Sequence, residues 1–309
     1  MKLLESGTMN SFFQKFLQKK KKSSEVDGSK NIITTPLSDE QIRTVYHRSR
    51  GFEPSQLIVG SGQSKGIQRD LNEDSLFTFS MNLANNTSSQ PFGIFIIADG
   101  MGGYQYGEIA SNVAIRTMAS YLLKKITPII ADSANSLEDS LQEIMRAGVK
   151  EAQRAVLKAA PGSGTTLSAV LILGQQMTIA HIGDSRVYII QMDGQVTPLT
   201  RDHSLVRRLE ELGQITSDEA AVHPQKNVLY KALGQSDFLE ADIFTAPFPN
   251  SGYLFLCSDG LWGVVPETQI YKIITAAKNI QTACQDLVDA ANSAGGPDNI
   301  STILVQLLG

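Results

Sequence analysis

The chain has 309 residues, enough to bury a substantial core, and apolar and charged fractions of 42% and 19% describe an ordinary soluble folded protein. Its formal net charge of −4 is uneven: residues 1–30 carry seven lysines against Glu5, Glu25 and Asp27, a local +4 that leaves −8 elsewhere. An acidic body excludes nucleic acid as the main ligand, and no apolar run approaches the roughly 20 residues of a membrane span. The start lacks the apolar core and small-residue cleavage site of a secretion signal. Cys257 and Cys284 have neither disulfide-framework nor thiolate-metal spacing, so a reducing, cytoplasmic setting is expected.

Residues 1–55 differ in composition from the rest of the chain and read as a basic, flexible N-terminal extension. Within them Phe12, Phe13, Phe16 and Leu17 fall at helical spacing before four lysines. Residues 12–22 therefore admit a weak membrane-surface or partner-binding helix, with a solvated extension as the simpler reading. A second short helix is expected at PLSDEQIRTVY, capped by Ser38.

From about residue 58 the pattern becomes dense, with strands predicted at 75–81, 92–98, 166–173, 177–182, 186–191, 253–258 and 301–307. Helices are predicted at 108–124, 137–159, 267–278 and 281–293, with Ser136 and Asp139 as a start signal like a capping box. Only three or four residues separate the strands between 166 and 191, a length that permits hairpins and forbids crossover helices. Strands in clusters with helices apart point to α+β layers.

Five predicted strand ends present a carboxylate, four of them beside glycine: NEDS, IADGMGG, HIGDSR, CSDGLWG and GGPDN. One such turn is ordinary Asp capping; five are not. Carboxylates gathered together repel, so their pKa values rise or a cation neutralises them. The expected cation is hard and oxygen-loving, Mg²⁺ or Mn²⁺. Two such ions need a bridging carboxylate, for which Asp99 is the best candidate. A phosphate needs a planar cationic fork, and Arg69 is the arginine nearest Glu73.

The ordered set GIQRDLNEDS, IIADGMGGYQYGEIAS, SGTTLSAVLI, AHIGDSRVYII, LTRDHSLVRRLEELGQIT, HPQKNVLYKALG, LFLCSDGLWGVV and GGPDNISTILV resembles the metal-dependent protein phosphatase 2C family. It is most similar to the bacterial serine/threonine phosphatase branch, over about residues 58–309. The resemblance implies a catalytic domain at 56–309 folded as a four-layer α-β-β-α sandwich of two antiparallel sheets flanked by helices. It implies hydrolysis of phosphoserine and phosphothreonine in phosphorylated proteins, opposing a serine/threonine kinase. A water or hydroxide bridging two Mn²⁺ or Mg²⁺ ions attacks phosphorus directly in that family, and the enzyme is expected to act as a monomer.

Residue by residue, Asp99 matches the bridging ligand, Asp259 and Asp298 match ligands of the first ion, and Glu73 and the Gly100 carbonyl match those of the second. Asp184 matches the ligand of a third, weaker ion, and Arg69 matches the arginine that binds the substrate phosphate. Asp74 is expected either to support Glu73 from behind or to cap its own turn. Two positions depart from the pattern. Met101 stands where some members carry a proton-donating histidine, while His181 and His203 read as structural. Lys231 replaces an arginine, which predicts a looser contact with phosphopeptide. The segment between Thr200 and Leu229 corresponds to a variable flap, where Arg207 and Arg208 either steer acidic substrates or line a solvated helix. A catalytically silent adaptor would normally have lost ligands, and a nucleotide phosphodiesterase would show His/Asp clusters that are missing.

Overall fold

The computed structural model describes residues 54–85, 88–102, 106–131, 138–236, 239–249 and 251–308. The helices expected at residues 12–22 and near Ser38 lie outside these, as does almost all of the expected extension.

The described residues form two antiparallel sheets. One contains β1 (Gln56–Ser64), β7 (Arg186–Ile190), β8 (Val196–Pro198), β10 (Tyr253–Cys257) and β11 (Ile300–Leu308), in the order β1-β11-β10-β7-β8. The other contains β2 (Asp74–Asn85), β3 (Ser88–Met101), β5 (Leu167–Leu173), β6 (Gln176–Ile182) and β9 (Asp242–Pro247), in the order β2-β3-β5-β6-β9. The short β4 (Gly164–Thr165) pairs with the end of β3.

Alternation along β3 explains both its sequence and the layering. Phe95 and Ile97 point inward and meet Val170, Ile172 and Ile179 on their own sheet and Leu254, Leu256 and Ile303 on the other. Ile94, Ile96 and Ala98 point outward, onto α1 (Gly107–Ala131) and α2 (Leu141–Ala159), through Met118, Leu122, Ile144 and Met145. A strand covered on both faces reads as one unbroken apolar run, which is why FGIFIIA shows no polar alternation. On the second sheet Phe255 and Cys257 pack beneath α6 (Glu267–Ala276) and α7 (Ile280–Ser293), against Ile270, Leu287 and Val288. The result is the four-layer α-β-β-α sandwich that the resemblance implies. Both cysteines are free and buried, and burial pushes their thiol pKa values up, Cys284 to about 11.

Three details differ from the expected elements. β1 and β9 were invisible in the sequence because their residues are mostly half-buried and show no clean alternation. α2 begins at Leu141, capped by Ser140: its hydroxyl accepts the Glu143 N–H at 3.2 Å, and the Glu143 carboxylate accepts the Ser140 N–H at 2.9 Å. The helix cap thus falls four residues after the expected Ser136, which itself lies outside the described residues. Finally, β5 and β6 form the expected hairpin, but the chain then passes through 183–185 into the other sheet. It crosses again between β1 and β2, through residues 65–73.

Candidate active site

The two crossings and three strand ends meet at one end of the sandwich around a cavity of about 200 Å³. Arg69, Glu73, Asp99 and Gly100 line it, together with Asp184, Asp259 and Asp298. All seven residues singled out from the sequence are thus brought together, and Met101 lies beside them.

Each is fixed by its own local structure. Asp99 faces Asp74 in the β2–β3 register, its N–H donates to Thr166 Oγ1 at 2.8 Å, and its carbonyl accepts from Thr165 Oγ1 at 2.8 Å. Glu73 ends the first crossing. Its carbonyl accepts the Gly100 N–H at 3.2 Å and the Ser111 hydroxyl at 2.6 Å. Gly100 allows this approach: a Cβ there would collide with the Gly107 carbonyl and lie 2.7 Å from the Glu73 carbonyl oxygen. A methyl group on Gly107, at the start of α1, would press against the end of the Glu73 side chain and make it shift. Asp259 opens the short helix α5 (Asp259–Trp262) directly after β10, and Asp298 immediately precedes Asn299 and β11.

Electrostatically the cluster is under strain. Burial first, then the charges of Asp74, Asp259, Asp184 and Asp298, hold the Asp99 carboxyl well above its usual range. Burial and Asp259 do the same to Asp184. Asp259 is pushed up to about 6 by burial and by Asp298, against the opposing hydrogen bond from Asp99. Glu73 is raised mainly by burial, with Arg69 pulling the other way. Carboxylates so placed demand neutralisation by protons or by cations. One cation is built in: Arg69 Nη2 lies 2.6 Å from Asp298 Oδ2, with 48% of the arginine side chain exposed.

The donor set suits a hard divalent ion. Every candidate ligand is an oxygen, and Asp259 Oδ1 is buried without a hydrogen-bond partner. No three His, Cys, Asp or Glu side chains among the described residues converge tightly enough to cage an ion as they stand. With Arg69 paired to one carboxylate and the others repelling, a tight cage needs the ion itself to draw the oxygens in.

Sequence reasoning missed the supports. Asn299, nearly fully buried, accepts the Glu73 N–H at 2.8 Å and donates at 2.8 Å to the carbonyls of Lys65 and Leu71. It ties the Arg69 crossing to β11, and the only hint was a polar residue beside Asp298 at a strand start. Behind Asp184, Arg186 makes a double contact with Asp202 and lies 3.6 Å over the Trp262 ring, while Trp262 Nε1 donates to the Asp184 carbonyl at 3.0 Å. These partners are 16 and 76 residues from Arg186, beyond any local pattern. Asp74 takes the supporting place: buried, it accepts the Ser258 hydroxyl at 2.8 Å.

Neither histidine reaches the cavity. His181 and His203 stack at 5.0 Å; His203 Nδ1 accepts the Gly183 N–H at 3.1 Å and its Nε2 sits 3.1 Å from Asp242. Burial pushes His181 down to about 3, so a structural role fits both. Lys231 also lies elsewhere, 3.2 Å from Asp242. It lines a separate cavity with Arg201 and Arg208.

An acidic, all-oxygen cavity with one arginine at its rim is the constellation of enzymes that move phosphoryl groups with hard divalent ions. A sequence model of protein phosphatase 2C matches residues 59–300, and the chain belongs to that family. It is 37% identical over 243 residues to the serine/threonine phosphatase stp of Listeria innocua, a match covering 78% of this chain and 92% of that protein. Among solved structures it is similar to the serine/threonine phosphatase PstP/Ppp of Mycobacterium tuberculosis, with TM-score 0.68 and 28% identity over 81% of this chain and 98% of that one. It is also similar to a PstP catalytic domain in complex with two manganese ions, with TM-score 0.66 and 27% identity over 82% of this chain and 99% of that one.

Proposed function

We propose that this chain is a metal-dependent protein phosphatase that hydrolyses phosphoserine and phosphothreonine in phosphorylated proteins. The observation that carries the reading is the meeting of Arg69 with Glu73, Asp99, Asp184, Asp259 and Asp298 on one cavity, within a protein phosphatase 2C fold. Asp99, Asp259 and Asp298 would hold one Mn²⁺ or Mg²⁺ ion; Asp99, Glu73 and the Gly100 carbonyl would hold another. Asp184 is the candidate for a third. When bound, the ions polarise the phosphoryl group and acidify water.

The protein's own residues do the rest. Arg69, half-exposed beside Asp298, would grip two phosphoryl oxygens with its planar fork. Asn299 keeps that arginine's crossing in register with Glu73. From behind, Ser258 holds the buried Asp74 and Thr166 holds the Asp99 backbone, fixing the floor of the site. No imidazole lines the cavity among the described residues, so the departing alkoxide takes its proton from water.

Residues 56–309 are the catalytic domain in this reading, and residues 1–55 a basic extension. The enzyme acts as a monomer against a serine/threonine kinase. A cytoplasmic location is supported by the two free, buried cysteines, and no helix among the described residues is long and apolar enough to cross a membrane. Hydrolysis of para-nitrophenyl phosphate and of a phosphoserine peptide, with and without Mn²⁺, tests the reading. Asp99→Asn should abolish metal-dependent turnover while far-UV circular dichroism stays unchanged; near-normal rates in that variant would sink the assignment.

A further inference from the structure

A second cavity, of about 390 Å³, lies on the other side of the flap and shares no lining residue with the catalytic one. The separation arises locally. Ser204 and Leu229 form a β-bridge, with Leu229 lining the catalytic cavity and its neighbours Tyr230 and Lys231 lining the second one. The short helix α3 (Leu205–Glu211) divides its arginines the same way: Arg207 lines the groove beside Arg69 and Asp184, and Arg208 lines the second cavity.

Three permanent cations wall this second cavity, Arg201, Arg208 and Lys231. Two carboxylates oppose them, and both are already divided. Glu211 Oε2 is shared by Arg201 and by Arg208, the latter at 3.7 Å. Asp242 accepts Lys231 on one oxygen at 3.2 Å and the His203 ring on the other at 3.1 Å. His203 is buried and held below its usual pKa, so it adds a donor and no charge. One positive charge therefore stands unbalanced. About half of each guanidinium side chain is exposed, leaving N–H donors for a ligand. A tetrahedral dianion with several acceptor oxygens answers that set better than a carboxylate or a halide.

We propose that the cavity walled by Arg201, Arg208 and Lys231 is a second phosphate-binding site, apart from the catalytic one. Its ligand is a phosphate dianion, supplied either as inorganic phosphate, the product of the proposed reaction, or as a second phosphoryl group on a multiply phosphorylated substrate.

The test uses the full chain loaded with Mg²⁺ and follows backbone amide resonances during titration with sodium phosphate at constant ionic strength. Amides of Arg201, Arg208 and Tyr230 should shift saturably. Arg208→Ala should weaken that binding about tenfold, the factor carried by one lost charge-assisted hydrogen bond, while Lys231→Arg retains it. No saturable shift at these amides, or equal binding in Arg208→Ala, overturns the proposal. A second arm compares KM for a peptide bearing one phosphoserine with KM for the same peptide bearing two. A lower KM for the doubly phosphorylated peptide, lost in Arg208→Ala with kcat on the single phosphopeptide unchanged, assigns the site to substrate. Equal KM values alongside saturable phosphate binding assign it to the free ion. The titration needs no turnover, so it succeeds or fails independently of the phosphatase reading.

Discussion

Arg69→Ala should move two measurable constants in opposite directions. The guanidinium lies 2.6 Å from Asp298 Oδ2 with 48% of its side chain exposed. It is thus available to an incoming phosphate, and it competes with a cation for the same carboxylate. For the substrate, losing a hydrogen bond to a charged group costs about 1.5–3 kcal/mol, which raises KM for a phosphoserine peptide about 10- to 150-fold. For the cation the sign reverses. Coulomb's law at an effective dielectric near 20 gives about 4 kcal/mol for charges ~4 Å apart, but half-exposed ion pairs contribute only about 0–1 kcal/mol after solvent screening. The smaller figure decides, so the Mn²⁺ concentration for half-activation should fall by no more than about fivefold. Initial rates over a grid of peptide and Mn²⁺ concentrations, at about pH 8 where Asp259 is ionised, give both constants. A variant that needs more Mn²⁺ than wild type would refute the competition, since Arg69 would then be holding Asp298 in place for the ion. An unchanged KM would remove Arg69 from phosphate recognition altogether.

Asn299→Ala removes three buried hydrogen bonds at about 1 kcal/mol each, so urea unfolding should show a loss of about 2–4 kcal/mol, with kcat reduced because the Arg69 crossing loosens. Equal stability in the variant would mean that water replaces the amide. Gly107→Ala presses a methyl group against the end of the Glu73 side chain, which must move; a stability loss at the low end of about 1–3 kcal/mol and a higher Mn²⁺ requirement are expected, and normal metal activation would argue against Glu73 as a ligand. Burial raises Asp74 to about 7 and Asp259 to about 6, above the ~4 of carboxyls in an unfolded chain. In chelator-treated protein the folded state therefore keeps protons that the unfolded chain has released, and this stabilising contribution is lost as pH rises through about 6–7. Mn²⁺ should thus raise the melting temperature more at about pH 8 than at about pH 5, and a gain independent of pH would uncouple the ions from these carboxyls.

The legible part of this molecule was whatever one strand carries by itself. Phe92 to Ala98 announce a buried strand and Asp99 its end, because sandwiching between a sheet and a helix layer erases polar alternation. The grouping of carboxylates could also be inferred, since like charges at successive strand ends make little sense unless something neutralises them. Contacts between distant segments were not legible. Asn299 finds Glu73 across 226 residues, and Trp262 finds the Asp184 carbonyl across 78. Lys231 makes the same point: the motif gives its place in the chain, but not its ion pair with Asp242 of an edge strand. The start of α2 was misplaced because Ser136 with Asp139 and Ser140 with Glu143 offer similar patterns, and it is Ser140 with Glu143 that closes both hydrogen bonds of the cap.

Asp99 lies in one sheet with Glu73 adjoining it, Asp259 and Asp298 flank strands of the other, and Asp184 sits in the chain passing between them. The gap across which an ion must reach is therefore not set at the rim. It is set by the filling of the sandwich, where Phe95 and Val170 meet Leu254 and Leu256. Close-packed interiors hand on displacements rather than absorb them. A methylene added or removed there acts as a change of jaw width on a calliper whose tips are acidic, so the spacing of those carboxylates is set from inside the protein, well away from solvent.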